Sequence, residues 1–131
     1  MAVVLLLAAC DKGPIQEHRI DYEKGGLGSR GPVTWRIEVD LDKRILVSRA
    51  DVVTQRELSE SETKFLKELA GAARDEPDGP RATVSDSYER ITLLGDKRRD
   101  IENTGPMTVP VAAKLEERLE TLAGWRTPPT R

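Results

Sequence analysis

The chain has 131 residues, 37% apolar and 34% charged, with only two Trp, two Tyr and one Phe, a length and composition that suit one domain with a thin core. Against 23 acidic side chains stand 21 basic ones, a formal charge of -2, which provides no basic footprint for nucleic acid and no acidic tail. A single Cys and a single His exclude an internal disulfide, a Cys-based zinc site and the His-Glu-x-x-His metallopeptidase motif, all of which need repeated ligands.

The amino terminus opens with an apolar run, Ala2 to Ala9, that ends in Leu7-Ala8-Ala9-Cys10 before the polar Asp11 and Lys12. Such a run is too short to span a bilayer, which takes roughly 20 helical residues. Its Leu/Ala-rich character matches the apolar core of a secretory signal peptide, with small residues before the cleavage point. Leu-Ala-Ala-Cys resembles the bacterial lipobox, in which the cysteine becomes the lipidated first residue of the mature protein. On this reading residues 1–9 are a lipoprotein signal peptide, and Cys10 is the lipidation site and membrane anchor. Residues 10–17, with Gly13 and Pro14, form a tether, 18–125 a single domain and 126–131 a disordered tail. The expected location is the cell envelope, with the domain facing the periplasm or the cell exterior.

Along the domain, His18, Ile20 and Tyr22 alternate with charged residues as in a half-buried strand. Lys24 to Pro32 follows, read as a loop whose glycines, Gly25, Gly26, Gly28 and Gly31, permit positive φ. Val33, Trp35, Ile37, Val39 and Leu41 form the clearest strand, Asp40 to Lys43 a turn, and Arg44 to Arg49 a third strand. The long segment Arg49 to Glu57 carries no predicted element. Ser59 and Glu62 make a capping box for a helix with Phe65, Leu66, Leu69 and Ala73 on one stripe, ended by the Pro77 and Pro80 region. Arg81 to Leu94 and Lys97 to Glu102 make a second hairpin about Gly95-Asp96. A last helix starts at Thr108 and Pro110, carries Val111, Leu115, Leu119 and Leu122, and stops at Gly124, with Trp125 folding back on Leu119. The predicted fold is α+β, a two-layer sandwich with an antiparallel sheet of four to five strands and two helices on one face, in the order β-β-β-α-β-β-α.

Little in this pattern points to catalysis. His18, the only imidazole, sits at a strand start; the acids Asp40 and Asp42, or Asp75, Glu76 and Asp78, read as loop carboxylates rather than a cation site. Gly25-Gly26-Leu27-Gly28 lacks the Gly-Lys-Ser/Thr ending of a P-loop and precedes a strand. Held on a rigid scaffold, the same segment suits contact with a partner's cleft. Arg36, Arg90, Arg98 and Arg99 read as the wet face of the sheet, and no Gly-x-Ser-x-Gly elbow is present. A binding protein is expected, not an enzyme, without metal or cofactor and as a monomer.

Several segments, taken in order, resemble the emfourin family of small bacterial inhibitors of protealysin and other thermolysin-like metallopeptidases. Ile20-Asp21-Tyr22-Glu23-Lys24-Gly25-Gly26 is similar to the strand and Gly-Gly pair near the family's start, and the alternating Thr34 to Asp40 follows. Leu58-Ser59 with Glu62, Leu66 and Leu69 is similar to its Leu-Ser/Pro-x-Glu helix opening. Asp86, Tyr88, Ile91 and Leu93 resemble its Asp-then-aromatic strand, and a leucine helix closes both. Leu27 stands where the family often carries an aromatic. The resemblance implies a protein that blocks a secreted or periplasmic metallopeptidase by loop contacts, with Gly25, Gly26, Leu27 and Gly28 as candidate partner-binding residues. Two other functions remain open on the sequence: a structural or assembly lipoprotein binding a membrane complex through its exposed sheet face, and a small ligand-binding domain built round a pocket.

Overall fold

The computed structural model describes residues 16–28, 31–77, 87–104 and 107–125. The expected lipidation site at Cys10, most of the expected tether and the segment 126–131 lie outside them. Six strands form one antiparallel sheet in the order β4-β3-β2-β1-β5-β6: β1 (Glu17–Gly28), β2 (Gly31–Asp40), β3 (Ile45–Arg49), β4 (Val53–Glu57), β5 (Ser87–Gly95) and β6 (Arg98–Thr104). Two helices, α1 (Glu60–Arg74) and α2 (Pro110–Leu122), complete an α+β fold. The order is the expected one with an additional strand.

Alternation along the strands sorts side chains onto two faces. Ile20 and Tyr22 of β1, Ile37 and Val39 of β2, Leu46 of β3, Ile91 and Leu93 of β5 and Ile101 of β6 fall on one face, fully buried with Leu66, Ala70, Leu115 and Leu119 of the helices. The other face is an ionic lattice. Arg19 bonds Asp21 and Glu38, Arg49 bonds Glu38, and Glu23 is bracketed by Arg36 and Arg90. Here Arg36, Arg90 and Arg98 are paired with carboxylates, as expected of a wet antiparallel face, whereas Arg99 donates to the Glu76 carbonyl.

Several boundaries differ from the sequence expectation, each for a local reason. The supposed loop Lys24 to Pro32 is mostly strand: β1 and β2 stay paired from Gly25↔Thr34 and Gly26↔Val33 to Gly28↔Gly31. Gly25 is needed for a close approach rather than for a left-handed backbone, because a Cβ there would sit 2.6 Å from the ring of Tyr88. The stretch before the first helix, with no predicted element, contains β4, whose residues Val53 to Glu57 are all exposed and so carry no alternation of burial. Glu17 belongs to the fold and not to the tether. Its buried carboxylate takes two 2.7 Å bonds from Arg74, in the last turn of α1. Residues 81–86 of the expected strand lie outside the described ones, and the tight turn falls at Asp96 and Lys97.

Both helices are capped, by different means. In α1 the Ser59–Glu62 capping box is complete, but the buried stripe is Thr63, Leu66, Ala70 and Ala73. Phe65 is 42% exposed and stacks on the Arg118 guanidinium at 4.9 Å. At α2 the N-cap is Val109 and not Thr108, and it offers no side-chain acceptor. Glu76, just past the end of α1, supplies one: its Oε1 accepts from the N–H groups of Val111 and Ala112 at 2.9 and 3.1 Å. A carboxylate at this end also meets the positive pole of the helix. Thr108 instead accepts from Asn103. The other end of α2 closes as a Schellman motif, with Gly124 at φ 80°, its N–H on Thr121 O and the Trp125 N–H on Glu120 O.

Candidate protein-binding site

The helices cover only part of the inner face. Continuing along β1 past Tyr22, the residues on that face are Lys24 and Gly26, level with Trp35 and Val33 of β2 and with Glu89 and Ser87 of β5. Between them lies an open groove of about 340 Å³, lined by Lys24, Gly25, Gly26, Val33, Trp35, Ser87, Tyr88 and Glu89. Its apolar wall is exposed, Val33 and Trp35 each at 38%.

Trp35 is held from behind. Its ring meets Trp125 edge-on at 6.2 Å between centroids, and Trp125 tilts against Tyr22 at 6.4 Å. The Schellman turn that ends α2 therefore also places the aromatic that backs the groove. Lys24 Nζ sits 5.0 Å over the Trp35 ring and donates to Glu120 at 3.3 Å.

Beside the groove lies a cluster of acids. Glu120, 3% exposed, accepts a 2.6 Å bond from the Tyr22 hydroxyl, and burial together with the Glu116 and Glu120 carboxyls pushes that phenol far above its usual pKa. Glu116, one turn earlier, is pushed up to about 10 by burial first and then by its bond to Glu89 and the charges of Glu89 and Glu120. It is a neutral acid at pH 7, with Oε2 unpartnered among the described residues. Glu89 spends Oε1 on the Met107 N–H at 3.0 Å, pinning the chain as it enters α2. Each of these acids already serves a fixed structural contact.

Of the expected partner-binding residues, Gly25 and Gly26 lie in the groove wall, and Leu27 and Gly28 continue β1 beyond it toward the hairpin end. The edge of β2 is open there. β3 pairs with β2 only from Arg36 to Asp40, so the stretch Gly31 to Trp35 has no strand beside its outer edge among the described residues. Trp35, Tyr88, Glu116, Glu120 and Trp125 were not foreseen as site residues. The spacing of Glu116 and Glu120 beside Leu115 and Leu119 marks them as a flank of the apolar stripe, but a flank faces either water or a neighbouring strand.

The other candidates are structural. His18 is half exposed, its Nδ1 3.1 Å from Asp42 and its Nε2 3.6 Å from Asp96, so it clips the β2–β3 and β5–β6 turns together. Its hydrogen bond and charge contact with Asp42, aided by Asp96, raise its pKa. Asp40 accepts from the N–H groups of Asp42 and Lys43, which is turn chemistry. No group of three His, Cys, Asp or Glu side chains able to hold a metal occurs among the described residues. Among them, too, no helix is long and apolar enough to cross a membrane. The chain matches no protein-family model and no curated protein.

Proposed function

We propose that the protein is a binding module that engages a protein partner through the β1–β2 hairpin end and the groove beside it, and that the partner is a thermolysin-like metallopeptidase, which it inhibits. The observation that carries this reading is the hairpin end itself. There the inner face of the sheet emerges from beneath the helices with an apolar wall, and among the described residues β2 has an edge open to an extended peptide. Extended segments dock on such edges through main-chain hydrogen bonds, with adjacent pockets selecting side chains. Peptidase clefts bind their substrates in the same extended form, and an inhibitory hairpin imitates them. The emfourin-like order of motifs supports the choice of peptidase class, and the lipobox supports an envelope location with Cys10 as the anchor.

The charged free face, locked in ion pairs, gives less support to docking on a membrane complex through that face. Inhibition of a panel of thermolysin-like and serine peptidases tests the reading. Saturable inhibition confined to the metallopeptidases is expected, weakened at least about tenfold by Val33→Arg, which puts a charge into the apolar wall. Full activity of every metallopeptidase at saturating protein would overturn it.

A further inference from the structure

The sheet has two outer edges, and they are unequally guarded. Edge strands expose unpaired N–H and C=O groups that template pairing with another strand, and proteins commonly block them with charge. β6 reads Arg98-Arg99-Asp100-Ile101-Glu102-Asn103-Thr104. Paired with a second β6 about Ile101, it would set Asp100 of each copy opposite Glu102 of the other, and like charges in that position repel.

β4 carries Arg56 and Glu57, but self-pairing about its centre sets neither opposite a like charge. It reads Val53-Thr54-Gln55-Arg56-Glu57, every residue is exposed, and among the described residues only β3 pairs with it. Val52 and Val53, at 68% and 62%, are the most exposed large apolar residues described. The Leu58 N–H donates to Arg44 O at 2.8 Å. Hydrogen-bonded and non-bonded positions alternate along an antiparallel ladder, so Arg56 and Thr54 also turn their backbone groups toward β3. Those of Val53, Gln55 and Glu57 consequently point outward.

We propose that a second copy of this chain pairs antiparallel along β4, about a two-fold axis at Gln55, joining the two sheets into one. In that register the outward groups of both copies satisfy one another in about six backbone hydrogen bonds. Val53 of each copy meets Glu57 of the other, Thr54 meets Arg56, and Gln55 meets itself. No like charges are opposed, and the Gln55 amide, on the axis, can both donate to and accept from its own copy. This surface is separate from the groove and the β2 edge, so two-fold pairing would present two hairpin ends at once. It replaces the monomer expected from the sequence.

Sedimentation of the full chain in mild detergent, across about 10 μM to 1 mM, tests the proposal. A monomer–dimer equilibrium is expected in that range. Gln55→Pro removes an N–H that points away from β3, so the monomer tolerates it. The dimer should weaken by at least about tenfold, with circular dichroism unchanged. If that variant does not fold, Gln55→Lys, which opposes two like charges on the axis, should loosen the dimer about threefold. Val53→Lys carries the same charge change two residues away, yet should tighten it about threefold by facing Glu57 of the other copy. A wild-type monomer throughout overturns the proposal. So does a dimer indifferent to the Gln55 changes, or one left unchanged or loosened by Val53→Lys.

Discussion

The two ends of strands β1, β2 and β5 have the same backbone pairing and opposite fates. At the covered end Ile20, Val39 and Leu93 lie level with one another and have no solvent exposure; at the far end Gly26, Val33 and Ser87 also lie level but line an open groove. What separates them is α2. Its Glu120 and Glu116 reach the sheet at Tyr22, Lys24 and Glu89, and the helical cover over these strands stops at that line. The boundary between core and open groove is drawn by a row of acids, which the fold keeps at a cost by burying one of them in its neutral form.

Substitutions on either side of that line should therefore differ in kind. The largest effect is expected at the covered end. Glu17→Ala removes the carboxylate from the Arg74 guanidinium, which is 7% exposed and keeps only carbonyl partners on Lys97 and Leu93, and should cost roughly 3–5 kcal/mol in urea unfolding. A small loss there would mean that the ion pair is open to water. Next, Glu76→Ala removes the side-chain cap at the N-terminal end of α2, leaving the Arg56 bond to the Leu122 carbonyl at the other end, and should cost about 1–2 kcal/mol. Because α2 carries the acid row and Trp125, a change in Trp fluorescence should accompany it.

On the line itself, Glu116→Gln should stabilise the protein. In the folded state this carboxyl ionises at about 10, against an ordinary value of 4.5. Between those values the unfolded chain releases the proton and the native state holds it, so the contribution of Glu116 is fully present below pH 4.5 and is lost as pH rises toward 10. Gln has no such titration. The gain should be roughly 1–3 kcal/mol at pH 8 and vanish near pH 4, in denaturation series at the two values. An equal gain at both would place the cause in packing instead.

The smallest change in stability is expected in the groove. Val33→Arg, at an exposed position, should shift unfolding by no more than about 0.5 kcal/mol while reducing the proposed inhibition, the sharpest contrast with Glu17→Ala. Equal losses of stability at Val33 and Glu17 would mean that the hairpin end is core rather than surface.

Much of this architecture could be read from local patterns. The alternation from Val33 to Leu41, the Ser59–Glu62 capping box and the Gly124 stop each encode their element through nearest neighbours, and the structure has all three. Strand β4 escaped because both of its faces are wet. The glycine run reads as a loop because Gly25 signals freedom in sequence, whereas in the fold it makes room for a ring 63 residues away. For the site, Gly25 and Gly26 could be named in advance, but Trp35 could be read only as a strand residue and Trp125 only as a capping contact.

The α+β class, the order of the elements apart from β4, the N-terminal capping box of α1 and the C-terminal stop of α2 are legible in the sequence, since they depend on periodicity and on side chains within a few residues of the backbone they serve. Only the tertiary structure decided that Glu76 caps a helix 35 residues on, that Glu17 is buried on Arg74, and that Glu116 and Glu120 face the sheet. The same holds for where the helical cover ends and the groove begins. Those outcomes depend on which surfaces meet across the layers, and burial, which sets the ionisation of an acid and the exposure of a tryptophan, is a property of that meeting and not of the residue.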